Sequence, residues 1–193
     1  MSLREKWDSR HGDLRKQPRV AEVLAQNRHL LPPKGCALEL ACGLGGNALL
    51  LAEQGLEVSA WDISPVAIRR LQEIALMRGL NNLQAEVRDI ELVPPPSSSF
   101  DVIVVSYYLE PALAPRIAAA LKPGGLLFYQ TFTRIAVGGE GPSNPAFRLH
   151  DNELLQLFSG LRPRVYREEN RLGDLTRGTR DLAMLVAERV DPI

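Results

Sequence analysis

From residue 37 onward, apolar runs of strand length alternate with stretches whose apolar residues recur at helical spacing. The first run, Leu38-Glu-Leu-Ala-Cys42, breaks into Gly43-Leu-Gly-Gly46, and residues 47–54 behind it read as a helix that Gly55 stops. Glu57-Val-Ser-Ala-Trp-Asp62 reads as the next strand. Ser64 is placed to cap a second helix, with Pro65 at the first helical position, where a missing N–H costs nothing. Ala67, Leu71, Ile74 and Arg78 follow at helical spacing up to Gly79, giving an apolar inner face and a basic end. Leu83-Gln-Ala-Glu-Val-Arg-Asp89 is a third strand pattern. Phe100-Asp-Val-Ile-Val-Val-Ser106 is a fourth, and its unbroken apolar run 102–105 suits a central strand buried on both faces.

Residues 112–121 then predict a helix, Lys122-Pro-Gly-Gly125 a sharp turn, and 126–132 a fifth strand. Residues 133–151, with Gly or Pro at 138, 139, 141, 142 and 145, are long for a connection in a compact domain, and such loops are usually functional or mobile. A short helix over 152–158 precedes two final strands, 164–169 and 182–188, expected to form an antiparallel edge. Residues 1–30 read as helical, with Val20, Val23 and Leu24 on one face. Alternating strands and helices argue for an α/β protein with a parallel sheet covered on both faces. Nothing repeats at a fixed period, which excludes a solenoid. One domain is expected over 1–193, with 1–30 as a helical cap and 133–151 as a substrate loop.

Composition narrows the partners. Lys+Arg and Asp+Glu both total 23, so no global field draws the chain toward nucleic acid or anionic lipid. A hydrophobic content of 45% and a charged content of 24% are ordinary for a soluble protein. No apolar run approaches the ~18 residues of a membrane span, and the first residues lack the apolar stretch of a signal peptide. The expectation is a cytoplasmic protein with neither nucleic-acid nor membrane partners, a monomer or a homodimer. Its two cysteines, Cys36 and Cys42, would lie about 20 Å apart if extended at ~3.3 Å per residue, beyond disulfide reach. They lack the spacing and partners of a zinc site, so no metal is expected.

The chemistry concentrates at the ends of the first three strands. A glycine loop lets the backbone turn sharply and lets a ligand approach the main chain. Glu39, just before that loop, favours an occupant carrying a positive group. Asp62 ends the second strand, where a ribose diol lies in an open α/β sheet, and Asp89 ends the third. Gly43-x-Gly45-x-x-Ala48 also fits a dinucleotide fingerprint, with Asp62 placed to bind an NAD ribose. A carboxylate at Glu39, however, does nothing for a pyrophosphate. The plainest alternative is a glycine turn with no ligand, with Asp89 capping a loop and Cys42 packed as a small strand-end residue.

In the order of these parts, residues 36–132 resemble the class I S-adenosylmethionine (SAM)-dependent methyltransferase superfamily. Glu39-x-x-Cys42-Gly43-x-Gly45-Gly46 resembles its first motif, Asp62 its second, Asp89-Ile90 its third, and Leu121-Lys-Pro-Gly-Gly125 the turn before its fifth strand. The Cys-Gly-x-Gly-Gly form, the 133–151 loop and Asn144-Pro-Ala-Phe-Arg-Leu149 look most like the small tellurite-resistance and thiopurine-type methyltransferases. The resemblance implies a Rossmann-like doubly wound seven-stranded sheet, mostly parallel with an antiparallel last strand, in the order 3-2-1-4-5-7-6. It also implies SAM as cofactor and in-line methyl transfer.

By that likeness, Gly43 and Gly45 lie against the methionyl and ribose portions of SAM, and Glu39 faces its amino group. Asp62 accepts both ribose hydroxyls and Ile63 lies against the adenine. Asp89 bonds the exocyclic amine, and the Ile90 N–H meets a ring nitrogen. Ser106 and Tyr107 stand next to the reactive methyl, Tyr107 on the acceptor side. Trp7 and Arg10 resemble residues that cover the cofactor in some relatives, with Arg10 toward its carboxylate. Arg134, Arg148 and His150 on the long loop are the expected acceptor contacts, although His150 equally suits a surface position. The Asn/Asp-Pro-Pro-aromatic motif of amine-methylating families is replaced here by Ser106-Tyr-Tyr-Leu109. The acceptor is therefore expected to be a small thiol, a chalcogen oxyanion or a hydroxylated metabolite. The alternatives are an RNA or protein methyltransferase and a non-catalytic SAM-binding module.

Overall fold

The structure, a computed structural model, describes residues 2–13 and 15–190. Its strands are Cys36–Leu40 (β1), Glu57–Asp62 (β2), Leu83–Val87 (β3), Phe100–Ser106 (β4), Leu121–Phe132 (β5), Arg162–Glu168 (β6) and Leu182–Glu188 (β7). They form one sheet in the order β3-β2-β1-β4-β5-β7-β6, as the sequence resemblance implied. The first five run parallel, and β7 pairs antiparallel with both β5 and β6.

Alternation along the central strands divides the core in two. Leu38 and Leu40 of β1, with Ile103 and Val105 of β4, face helix α5 (Ala114–Ala120) and helix α6 (Glu153–Leu157). Ala37, Val102 and Val104 point the other way, onto α2 (Glu22–Asn27), α3 (Gly46–Glu53) and α4 (Pro65–Met77). Helix α4 begins as its sequence predicts. The Ser64 hydroxyl accepts the Ala67 N–H at 3.2 Å, and Pro65 occupies the first helical position. No helix among the described residues is long and apolar enough to cross a membrane.

Three expected boundaries move, each for a local reason. Residues 1–30 are not one helical stretch: α1 (Leu3–His11) stops, and none of the described residues between it and α2 is helical. The Arg70 guanidinium donates to the carbonyls of His11, Asp13 and Lys16 at 2.7, 3.0 and 2.8 Å, and Pro18 lacks an N–H to donate. Val23 and Leu24 are buried there, whereas Val20 is exposed. Strand β3 ends at Val87, two residues before Asp89. Lys122-Pro-Gly-Gly125 is a bulge inside β5, because Leu121 already pairs with Phe100 while the next pair is Leu126 with Val102.

The 133–151 segment is folded back on itself. Thr133 bridges Leu149, and the Arg148 guanidinium donates to the carbonyls of Thr133 at 2.9 Å, Pro142 at 2.7 Å and Glu140. From across the sheet edge, the Asp181 carboxylate accepts the N–H groups of Gly138 at 3.0 Å, Glu140 at 3.1 Å and Val137.

Candidate active site

Strand β1 feeds a tight loop. Cys42 N–H donates to the Trp61 carbonyl at 3.0 Å, and Gly45 N–H donates back to the Cys42 carbonyl at 2.8 Å. Gly45 takes a φ of +73°, and a Cβ there would lie 2.4 Å from Leu71 of α4, so the loop sits flush on that helix. Gly46 opens α3 and leaves no room either. A Cβ would meet the Arg19 carbonyl at 2.1 Å, which brings the N-terminal segment onto the start of α3.

The three acids gather along this loop. Asp62 ties it down, its two oxygens accepting the Gly43 N–H at 2.7 Å and the Ser64 N–H at 2.8 Å. Glu39 is buried beneath α3 and accepts the Ala48 N–H at 2.7 Å and the Asn47 side-chain amide at 2.8 Å. Burial pushes its carboxyl up to about 8, against the lowering effect of those two bonds. Asp89 combines both roles that the sequence left open: it caps a turn by accepting the Glu91 N–H at 3.1 Å, and it faces the same cavity.

That cavity measures about 660 Å³ and lies over the carboxyl ends of β1–β4, where strand order reverses. Its size falls in the ~300–1,000 Å³ range of small-molecule sites. Trp7, Arg10, Glu39, Gly43, Gly45, Asp62, Ile63, Asp89, Ile90, Ser106 and Tyr107 all line it. Arg134, Arg148 and His150 do not. The Arg148 guanidinium is engaged with three carbonyls of its own loop, Arg134 reaches the Arg148 carbonyl at 3.3 Å, and His150 is exposed. Tyr108 also reaches the cavity, donating its hydroxyl to Glu91 at 3.1 Å. Tyr107 adopts a φ of +58°, a conformation uncommon for a bulky residue that here presents a half-exposed ring beside Ser106.

Side chains not singled out from the sequence hold these parts together. Asn47, fully buried, donates to Glu39 and, at 3.1 Å, to the Ser106 hydroxyl, while its carbonyl accepts the Ala21 N–H at 2.8 Å. Gln130 accepts the Val23 N–H at 2.8 Å and donates to the Tyr107 hydroxyl at 2.9 Å. Asp8 of α1 accepts the Ser64 hydroxyl at 2.5 Å. His11 stacks with Trp7, their ring centroids 5.7 Å apart, and covers Gly43, where a Cβ would touch its ring at 3.1 Å. Burial lowers its imidazole pKa below the usual value despite the opposing Asp62 carboxylate. A polar Asn47 in the otherwise apolar opening of α3 is the one signal of this network visible in the sequence.

A sheet of this order with its cleft at the switch point is the Rossmann-like fold of class I methyltransferases. The chain belongs to that group: a family profile described as "Methyltransferase domain" matches residues 13–166. A relative from Albidiferax ferrireducens, named ubiquinone biosynthesis O-methyltransferase, is 33% identical over 140 residues, or 68% of this chain and 56% of its own length. The chain thus spans little more than half of that curated relative. Among solved structures, a SAM-dependent methyltransferase from Aquifex aeolicus superposes with a TM-score of 0.72 at 16% identity, covering 95% of this chain and 98% of its own. TehB from Haemophilus influenzae gives 0.70 at 21% identity, covering 95% and 67%. SAM is the cofactor expected of such a protein. The donor set fits it, since three acids on one wall complement a cation and the glycine loop leaves main chain open to the cavity.

Proposed function

We propose that this chain is a SAM-dependent methyltransferase acting on a small hydroxylated acceptor. The observation that carries this reading is one cavity lined by an acid at or near the end of each of the first three strands and by Ser106 and Tyr107. Bound there, SAM supplies a methyl group already activated on a sulfonium. The protein's part is then mainly alignment, for which ~7–11 kcal/mol is the available scale. In this proposal Asp62 receives the ribose hydroxyls on the lone pairs that Gly43 and Ser64 leave free, since a carboxylate has about four acceptor sites. Glu39 faces the amino group, Asp89 and the Ile90 N–H hold the adenine edge, Ile63 packs on its face, and Arg10 takes the carboxylate under Trp7.

Of the acceptor classes expected from the sequence, the hydroxylated one is favoured by the relative named for O-methyl transfer. Thiols and chalcogen oxyanions stay in the screen as the other acceptors of the same site. Thermal unfolding tests the cofactor: a ligand at about a hundred times its Kd adds ~2.7 kcal/mol, roughly 5–11 °C for a chain of this size. SAM and its demethylated product should give that shift and NAD none. A shift with NAD alone refutes the reading. Mass spectrometry with isotope-labelled methyl donor across small phenols, thiols and oxyanions then identifies the acceptor. Labelling of RNA or protein alone, or of nothing, would favour a macromolecular acceptor or a non-catalytic module.

A further inference from the structure

The cavity separates its charges. The acids lie on the sheet wall, and the opposite wall carries Arg10, Arg15, Lys16 and Arg19, with Arg88 near the adenine end. Three of these cations are already engaged. Arg15 pairs with Asp13 at 3.0 Å, Lys16 donates to the Arg10 carbonyl at 3.1 Å, and Arg88 stacks on Trp61 and pairs with Glu86. Arg10 leans over the Trp7 ring at 5.4 Å and takes part in no ion pair among the described residues. Among the described residues, Arg19 likewise takes part in no ion pair. Two arginines that line the cavity therefore have no ion-pair partner among the described residues, and the proposed cofactor brings one carboxylate.

Their positions divide the work. Arg10 sits on α1, above the glycine loop. The Arg19 main chain rests on Gly46 at the start of α3, next to the Asn47–Ser106 bond, and Gln130 ties the segment that follows it to Tyr107 by accepting the Val23 N–H and donating to the Tyr107 hydroxyl. Burial, Glu22 and Glu140 raise the Tyr107 phenol, while the Gln130 hydrogen bond and, least of all, the Arg19 charge lower it. Glu22 is occupied by the Thr179 hydroxyl at 3.1 Å.

We propose that Arg19 is a specificity-determining residue that binds an anionic group on the acceptor, so that the preferred substrates are hydroxylated carboxylates rather than neutral phenols. The inference rests on the methyltransferase reading and refines its substrate class. A guanidinium offers a carboxylate two parallel N–H donors, which fixes the orientation of the acceptor as well as its affinity. With Tyr107 packed at 5.4 Å from Phe132 and held through its hydroxyl by Gln130, the ring wall and the charge together define one pose for a flat hydroxylated acid.

The test uses the full chain loaded with S-adenosylhomocysteine, titrated by calorimetry with 3,4-dihydroxybenzoate and its neutral isostere 3,4-dihydroxybenzamide, and with 2-hydroxybenzoate and its amide. Wild type should bind at least one benzoate about tenfold or more tightly than the matching amide. Arg19→Gln should erase that difference, Arg19→Lys should keep part of it, and both should bind S-adenosylhomocysteine within about twofold of wild type. Melting temperatures of the two variants check that folding is intact. Equal affinity for acid and amide in wild type, or no binding of any of the four, overturns the proposal. A tenfold loss of S-adenosylhomocysteine affinity in Arg19→Gln overturns it too, by giving Arg19 to the cofactor's carboxylate. In that case the methyltransferase reading stands. That reading fails separately if wild type binds neither SAM nor its product.

Discussion

On the sheet wall of the cavity, each acid has a partner near it in the chain, although Asp62 also reaches Gly43, 19 positions back. Asp62 accepts from Ser64 two positions on, Asp89 from Glu91, and Glu39 from Ala48 nine positions on. The opposite wall hangs from distant side chains: Ala21 from Asn47, 26 positions away, and Val23 from Gln130, 107 positions away. Arg70 of α4 grips three carbonyls of the same segment. One wall follows from short motifs, and the other exists only once the sheet has formed. Changes on the first should act on the ligand, and changes at the joint between them on both ligand and fold.

The joint is Asn47, so its loss should be the largest effect. Asn47→Ala leaves the Ala21 N–H, one Glu39 oxygen and the Ser106 hydroxyl without that partner. Buried polar groups so deprived cost about 1–3 kcal/mol each, and a total of about 3–4 kcal/mol corresponds to roughly 6–16 °C in melting temperature at this chain length. Calorimetric unfolding measures it, and a shift under about 2 °C would mean that the walls are joined elsewhere. Asp62→Ala comes next. It frees the Gly43 and Ser64 N–H groups and removes the proposed ribose acceptor, so SAM affinity should fall by about 1–3 kcal/mol, or roughly five- to 150-fold. SAM binding equal to wild type would remove the ribose from this acid.

How much was legible follows the same division. The Leu38–Gly46 run, the Ser64-Pro65 cap and the unbroken 102–105 run each set their element through neighbours a few residues away; the glycine loop and the sheet order appear where the sequence and its resemblance put them, and Asp89 falls two residues past β3 instead of ending it. The opposite wall was harder to read. Residues 12–21 alternate too weakly to reveal a non-helical segment, and what fixes them is Arg70, some 55 positions away. The fold of the 133–151 loop was hidden for a related reason: Arg148, expected as an acceptor contact, folds back onto its own backbone, and Asp181 clamps the far side from beyond β6.

The comparison also has a pH signature. Glu39, raised to about 8 from its usual 4.5, keeps a proton in the folded state that the unfolded chain has released between those values. Its contribution to stability is therefore full below about pH 4.5 and is lost as pH rises toward 8. A cationic ligand group favours the ionised form, so SAM affinity should rise with pH over 6–8.5 with proton release on binding. Glu39→Gln should flatten both trends. Calorimetry in buffers of different ionisation enthalpy reads the proton, and none released at pH 7 would remove Glu39 from the cofactor.

Asp181 behaves in the opposite sense. Burial raises its carboxyl, but the N–H groups of Val137, Glu140 and Gly138, with Arg148, outweigh it and hold it below the usual range. Its stabilisation is complete above about pH 3.8 and fades as pH falls through the lowered folded value. Asp181→Asn should loosen the loop by about 1–2 kcal/mol, seen as faster hydrogen exchange over 135–141 with SAM affinity within about twofold. Unchanged exchange there would show that Arg148 alone closes the loop.

The smallest effect belongs to His150. It is exposed, its backbone N–H is satisfied by Glu153 at 2.6 Å, and its side chain lies outside the cavity. Surface substitutions of this kind stay within about 0.5 kcal/mol. His150→Ala should therefore leave melting temperature, SAM affinity and turnover of the identified acceptor within about twofold of wild type. Arg148→Ala should instead lower stability and raise exchange across the loop, because three carbonyls lose their donor. A tenfold drop in turnover for His150→Ala, with SAM affinity intact, would place the loop over the acceptor during the reaction. The acceptor end would then be built by movement of 133–151, and not by the N-terminal segment and Tyr107 alone.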